Sequence, residues 1–525
     1  MTSVLERLTG ALPARQLAQG LLNQYAQRRA GKLNRLSVAR TQEATLCHLV
    51  RRARDTRFGR AHGFGHIRAI TDYQRQVPLR EYEAFWTEYW QPDFPRLVDV
   101  TWPGQAPYLA LSSGTVSGTT KYIPVSAEML RSNRRAALTT LALYLAAYPN
   151  TPIFTGRIFF LGGSTDLRQL ADGVRGGDLS GIAAREVSSL LRPYTFPPLE
   201  LGLLADWEEK VRLLAQRGAE LPITLLSGVP SWLLLLFDRL KQVTGKQHIA
   251  DIWPTLRVVV HGGTKFDPYR NLFRQEIGSD TVHFLETYPC SEGFVATEDP
   301  RYQLLRVVPD HGIFFEFVPV AELPSAQPTR HTLAKVAVGV QYAVVLTTCA
   351  GLWSYVVGDT VCFEQRDPPL LRFTGRTRYF LSAFGEHVIS EEVERAVAQA
   401  AEATGAAVID FHVGPIFPEA PSAPGRHRYL VEFARPPADL ARFATELDAI
   451  LCQLNEDYQA HRAGDLTMLP PEVVVVRPGG FADWMRSRGK LGGQHKVPRM
   501  DNSGTLTREL SAWLASTRDP QESAE

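Results

Sequence analysis

A chain of 525 residues and 58.5 kDa is longer than one hydrophobic core usually serves, so two or more domains are expected. Lysine and arginine (57) barely exceed aspartate and glutamate (55), and a net charge of +2 supplies no field that would draw the chain to nucleic acid or an acidic membrane. With 44% hydrophobic residues, 21% charged residues and a mean hydropathy of −0.14, the composition excludes a disordered or fibrous chain and fits a soluble protein with a large core.

Residues up to about 100 are rich in Arg, Leu and Ala at helical spacing, interrupted by the glycine-punctuated "TRFGRAHGFGHI", Thr56 to Ile67. The N-terminus scatters its charges and lacks the apolar core and small-residue cleavage site of a secretion signal, so a cytoplasmic location is expected. "LALSSGTVSGTTKYIPVS", Leu109 to Ser126, reads as strand, polar loop, strand, with Pro124 arguing against immediate helix entry. Then "RIFFLGG", "ITLLSGV", "LRVVVHGG" and "TVHFLETY" alternate with helical segments at Trp207–Arg217 and Pro230–Thr244, the rhythm of an α/β domain. "WLLLLF" within the second helix is too short to cross a bilayer and reads as buried. After Arg301 strands dominate, as in "GIFFEFVPV" and "YAVVLTTCAGLWSYVVGDTVCFE", and suggest a β-rich subdomain. Near Arg376 these give way to an acidic-started amphipathic helix, "EHVISEEVERAVAQAAEA", whose Glu391, Glu392 and Glu394 suit the positive end of the helix dipole, and then to a short α+β pattern ending near Ala515. "PEAPSAPGRHR", Pro418 to Arg428, reads as a mobile internal loop, and the polar tail 516–525 as disordered.

The five cysteines are dispersed, odd in number and form no C-x-x-C pair, so neither a disulfide frame nor a zinc site is indicated. H-E-x-x-H, G-x-S-x-G and a complete G-x-G-x-x-G are absent. The Leu109–Ser126 loop is not a Walker loop, which opens directly into a helix, yet its composition suits phosphate. Gly114 and Gly118 permit close backbone approach, Ser112, Ser113, Thr115, Ser117 and Thr119 offer hydroxyl donors, and Lys121 adds charge. "ETYPCSEGF" places Tyr288, Ser291 and Glu292 at a strand end, an aromatic, a hydroxyl and a carboxylate that suit a base, a phosphate and Mg2+. "WSYVVGDTV" ends an alternating strand in Gly358-Asp359, a carboxylate able to accept both hydroxyls of a ribose. "FTGRTRYFLSAFGEHVISEEVE" carries Arg376 and Gly385, and "GGQHKVPRM" carries Lys496 and Arg499 on a glycine-rich loop. Each alone has an ordinary explanation as a surface turn, a solvated charge or a strand end.

Taken in order, these five stretches resemble the adenylate-forming superfamily of acyl-CoA synthetases, peptide-synthetase adenylation domains and luciferases. Within it, "SSGTVSGTTKYIP", "DTRFGRAHGFGHI" with "VPLREYEAF", and "GGQHKVPR" resemble the auxin-responsive Gretchen Hagen acyl-acid amido synthetase family, from about Ala30 to Arg499. The resemblance implies an α/β enzyme with a large N-terminal domain of mixed sheets flanked by helices and a β-barrel-like subdomain (1–375), a hinge (376–381) and a small mobile α+β C-terminal domain (382–515). It implies that ATP and Mg2+ convert a carboxylic acid to an acyl-adenylate and pyrophosphate, and that the acyl group passes to the amine of an amino acid. Ser112 to Lys121 would cradle the β- and γ-phosphates, Tyr288 would pack against adenine, and Ser291 would lie near the α-phosphate. Glu292 would ligate Mg2+, Asp359 would hold the ribose, and His261, Gly262 and Gly263 of "VVVHGGTKF" would line the adenine and acyl pocket. Arg376 would act at the hinge, and Lys496 would reach the α-phosphate and carboxylate oxygens during adenylation before swinging away.

Two departures stand out: Thr120 occupies a position where the superfamily often has proline, and Pro289 one where it has glycine. Cys290 is not read as a nucleophile, since no His/Asn pairing accompanies it. An acyl- or aryl-CoA ligase is the alternative enzyme, and a non-catalytic ligand-binding protein on the same fold the alternative to an enzyme. Against the latter, Lys121, Glu292, Asp359, Arg376 and Lys496 are all present. A monomer acting on small molecules, without nucleic acid or membrane partners, is expected.

Overall fold

The computed structural model describes residues 12–113, 120–162, 167–187, 191–204, 207–262, 266, 269–377, 380–381, 383–384, 386, 388–417, 425–455, 458–459, 462, 468–488 and 497–516. In chain order its strands are β1 (Tyr108–Ser113), β2 (Thr120–Val125), β3 (Arg157–Leu161), β4 (Arg168–Ala171), β5 (Val174–Gly177), β6 (Thr195–Phe196), β7 (Ile223–Gly228), β8 (Val258–Gly262), β9 (His283–Cys290), β10 (Gly293–Asp299), β11 (Leu304–Val307), β12 (Ile313–Pro319), β13 (His331–Thr332), β14 (Gln341–Thr348), β15 (Tyr355–Gln365), β16 (Leu370–Arg376), β17 (Phe380–Leu381), β18 (Val388–Ile389), β19 (Ala407–Ile416), β20 (Arg426–Arg435) and β21 (Glu472–Val476). Residues 1–264 and 276–373 form one unit, and 265–275 with 374–525 a second.

In the first unit one sheet runs in the order β13-β12-β14-β15-β16-β11-β10-β9-β8-β7-β3-β6. From β6 to β9 its neighbours are parallel, and the apolar runs of β7 and β8 are buried as expected of strands covered on both faces. At β9 the sheet turns antiparallel, and the strands after Arg301 continue it. In a four-stranded sheet, β2-β1-β5-β4, the strands that flank the polar loop of the sequence, β1 and β2, pair antiparallel. Pro124 sits on edge strand β2, where a missing N–H costs no ladder bond. Ser126 then caps helix Ala127–Ala147, its hydroxyl accepting from the Met129 N–H at 3.0 Å.

The glycine-punctuated stretch Thr56–Ile67 contains a short helix, Arg57–Ala61, capped by the Thr56 hydroxyl. Gly59 within it is required by packing, since a Cβ there would lie 2.2 Å from the Ala53 carbonyl oxygen. "WLLLLF" falls in helix Pro230–Thr244, with Leu233, Leu236 and Phe237 fully buried and Leu235 on the exposed side. Among the described residues no helix is long and apolar enough to cross a membrane.

One buried polar cluster joins the N-terminal helix Leu12–Arg35 to the rest of the unit. Arg29 donates to both carboxylate oxygens of Asp310 at 2.7 Å and to His311 Nε2 at 3.1 Å. Burial pushes the Asp310 carboxyl up, but the Arg29 hydrogen bonds and charge overcome this and hold it well below the usual range. Burial and the facing guanidinium pull His311 down to about 3, so it stays neutral and accepts from Arg29. Because the folded chain binds this proton less readily than the unfolded one, the stability is fully present above pH 6.5 and is lost as pH falls toward 3, at most about 1.4 kcal/mol per pH unit. Replacing His311 with Gln is expected to flatten the fall of melting temperature between pH 6.5 and 4. Equal slopes in the two proteins would contradict this assignment.

The second unit is α+β. β20 pairs antiparallel with β19 and parallel with β21. The acidic-started helix is Ser390–Thr404: Glu392 reaches back to the Ile389 N–H at 2.9 Å, and Gly405, with φ +67°, ends it. Helix Leu440–Leu454 packs beside it over a shared core that includes Val393, Val397, Phe443 and Leu447.

Candidate active site

β9 and β10 form a hairpin in which Cys290 pairs with Gly293, so Ser291 and Glu292 are its two turn residues. A hairpin tip is normally solvated, but this one is buried: Ser291 and Glu292 are each 8% exposed. The Cys290 thiol donates to the Gly293 carbonyl at 3.0 Å. Burial first, then the charges of Glu292 and Asp359, push that thiol well above its ordinary range, which keeps it protonated and unreactive.

Asp359 is delivered by a distortion of β15. Val356 pairs with Val345 and Thr360 with Ala343, so Val357, Gly358 and Asp359 oppose the single residue Val344. Gly358, at φ +89°, supplies the positive φ that this bulge needs. Asp359 is 5% exposed, and its Oδ2 accepts from the Tyr288 hydroxyl at 2.8 Å. Three strands separate β15 from β9 in the sheet order, so in a flat sheet they would lie about 19 Å apart. The direct hydrogen bond means that the antiparallel half coils strongly on itself, bringing the Tyr288 and Asp359 motifs together.

Tyr355 makes a second bond of the same kind. Its hydroxyl donates to Glu292 Oε1 at 3.2 Å, and the residue is fully buried. Burial and the Glu292 charge hold the phenol well above its ordinary range, so it remains a proton donor. Phe373 packs edge-on against the Tyr288 ring, with centroids 5.4 Å apart.

Gly262 ends β8 beside Thr287 of β9. A Cβ there would come within 2.5 Å of the Thr287 carbonyl oxygen, and the Thr287 hydroxyl donates to the His261 carbonyl at 3.0 Å. The glycine thus lets two parallel strands close at their carboxyl ends, where open α/β sheets bind ligands. The front-end stretch "VPLREYEAF" contributes next. The Arg80 N–H donates to the Ser354 carbonyl, and the Val356 N–H to the Arg80 carbonyl, a parallel bridge onto Tyr355. Two residues on, the Tyr82 hydroxyl accepts from the Tyr122 N–H at 2.9 Å, and Lys121 Nζ lies 5.3 Å above the Tyr82 ring. One short segment therefore fastens both the β1–β2 hairpin and the strand that carries Asp359. Sequence reasoning assigned no role to Tyr355, Arg80 or Tyr82, although all three lie in stretches it singled out.

Ser112 and Ser113 close β1, their backbones paired with Lys121 and Thr120. Gly114, Thr115, Ser117, Gly118, Thr119, Gly263, Gly385 and Lys496 lie outside the described residues. Arg376 ends β16 in the second unit and is exposed. In that unit the chain just after Lys496 is firmly held. Pro498 O accepts from His412 Nδ1 at 2.6 Å, and Met500 bridges to Val413. Arg499 pairs with Asp410 at 3.3 Å and donates to the Tyr269 hydroxyl at 2.9 Å.

Three family models match the chain: the GH3 family N-terminal domain at residues 35–208, the central domain at 306–376 and the C-terminal domain at 391–505. Together they match well over half of it. The chain is 31% identical over 219 residues to indole-3-acetic acid-amido synthetase GH3.3 of Arabidopsis thaliana, covering 39% of this chain and 36% of that protein. It is 30% identical over 298 residues to probable indole-3-acetic acid-amido synthetase GH3.9 of Oryza sativa subsp. japonica, covering 51% and 65%. The matched segments thus span from about a third to just under two thirds of these relatives. Among solved structures, GH3.15 acyl acid amido synthetase superposes with a TM-score of 0.75 at 19% identity, over 93% of this chain and 94% of that one. A 2-hydroxyisobutyryl-CoA ligase superposes at 0.55 and 14% identity, over 97% and 93%. Both likenesses are of fold.

Proposed function

The chain belongs to the GH3 family, and from that premise we propose that it is an ATP-dependent acyl acid amido synthetase, joining a carboxylic acid to the amine of an amino acid through an acyl-adenylate. The observation that carries this reading is the pair of buried phenol–carboxylate contacts, Tyr288 to Asp359 and Tyr355 to Glu292, at the meeting of the β9–β10 tip and the β15 bulge. The names of the curated relatives, indole-3-acetic acid-amido and jasmonoyl-amino acid synthetases, support an amine acceptor over CoA.

In this reading Asp359, oriented by the Tyr288 hydroxyl, accepts the two ribose hydroxyls, and the Tyr288 ring borders the adenine. The β1–β2 hairpin, with Lys121, grips the β- and γ-phosphates, and Ser291 lies near the α-phosphate. Glu292 would hold Mg2+: a hard carboxylate at a buried tip suits an ion that binds through one or two carboxylates plus substrate phosphates. Phosphate oxygens of the nucleotide would complete the set. When bound, the ion neutralises phosphate charge as it builds. The acid's carboxylate oxygen attacks the α-phosphorus and the bond to pyrophosphate breaks, with Lys496 stabilising the developing charge. The amine then attacks the acyl carbon, AMP departs, and the amine loses a proton. Arg376 would act at the hinge between the half-reactions, in a monomeric cytoplasmic enzyme.

The test is pyrophosphate release across a panel of aromatic, jasmonate-like and fatty acids. Release is expected only with ATP, Mg2+ and an accepted acid, and to rise on adding amino acids. No acid-dependent release with any acid would favour the non-catalytic alternative.

A further inference from the structure

We propose that Tyr355 is a positioning residue that fixes the Glu292 carboxylate in the orientation in which it takes a divalent cation with the nucleotide. The inference rests on the nucleotide reading above and extends it to a residue outside the stretch that carries Glu292. Glu292 sits on a two-residue turn, where little of its own backbone ladder restrains a three-torsion side chain. Tyr355 adds a restraint from across the coiled sheet, with its hydroxyl 3.2 Å from Oε1. Its own position is held by two backbone pairings and one ring. Its backbone pairs with Leu346 of β14 and with Arg80 of the front-end segment, and its ring lies 5.9 Å from that of Phe85. A donor held this rigidly loses little entropy on bonding, so the hydrogen bond selects one carboxylate orientation in advance of the cation.

The segment Arg80–Phe85 gains a purpose from this arrangement. It holds Tyr355 by a backbone bridge and the β1–β2 hairpin through Tyr82, so the cation ligand and the phosphate loop share one support. A common brace keeps the separation of the cation ligand and the phosphate loop constant.

The experiment measures ATP binding by calorimetry without acid, so that no turnover occurs, at a series of Mg2+ concentrations and in excess chelator. For Tyr355→Phe, which removes one oxygen atom and keeps the ring, the Mg2+ concentration giving half-maximal enhancement of ATP affinity is expected to rise about tenfold, with affinity in chelator unchanged. Phe363→Leu, which disturbs the packing of β15 against Phe317 eight residues beyond Tyr355, is expected to lower the melting temperature without moving the Mg2+ dependence. In a Glu292→Gln background Tyr355→Phe should add nothing, because the carboxylate it orients is gone. An unchanged Mg2+ dependence in Tyr355→Phe, or an equal shift in Phe363→Leu, overturns the proposal while leaving the nucleotide reading intact. A native chain whose ATP binding ignores Mg2+ overturns the proposal alone, and one that binds no ATP overturns both.

Discussion

Lys496→Ala is expected to cut acid-dependent pyrophosphate release by about a thousandfold while leaving ATP affinity within about threefold of the native value. The split follows from where this lysine's charge is needed. In the proposed reading the nucleotide is gripped by the β1–β2 hairpin and Asp359, whereas charge on the α-phosphate and the attacking carboxylate builds only in the transition state. The residues that follow Lys496 are anchored. His412 holds the Pro498 carbonyl, Met500 bridges β19, and Arg499 is clamped by Asp410 and Tyr269. Rapid-quench measurement of adenylate, alongside calorimetric ATP binding, separates the two effects. Undiminished adenylate formation in the variant would transfer the role to Lys490.

Glu292→Gln is expected to reduce pyrophosphate release at least a hundredfold at saturating ATP. Glutamine is nearly isosteric and its amide oxygen still accepts from the Tyr355 hydroxyl, so the hairpin tip and the melting temperature should persist. What disappears is the negative charge that a hard cation requires. Raising Mg2+ should restore little of the loss. A variant with native release at ordinary Mg2+ would mean that the contact of Glu292 with Tyr355 is structural.

Much of this fold is legible in the sequence because its signals are local. β7 and β8 announce themselves as unbroken apolar runs, since a strand covered on both faces has no reason to alternate. Pro124 excludes a helix immediately after the polar loop, and Glu392 marks the start of the helix it caps. The elements that complete the site are not local. The coil that brings β9 to β15 depends on the twist of several strands, and the sequence near Tyr288 contains nothing about Asp359. The β15 bulge shows in the sequence only as a Gly-Asp pair, which ordinary turns also use. The sequence alone gives Tyr355 no role in the site, because an aromatic in an alternating strand reads as core, which it also is. The Arg80 bridge is one parallel pair between segments far apart in the chain, and pairing of that kind leaves no periodicity to detect. Nor does any shift in composition reveal that residues 265–275 group with the C-terminal unit.

The central claim is that the acyl group goes to an amine. It is tested most directly in one reaction containing ATP, Mg2+, an accepted acid, the twenty amino acids and CoA, resolved by mass spectrometry. The account predicts a product whose mass is acid plus amino acid less one water, formed with equal moles of AMP and pyrophosphate. A CoA thioester as the main product, with no amide, would contradict it.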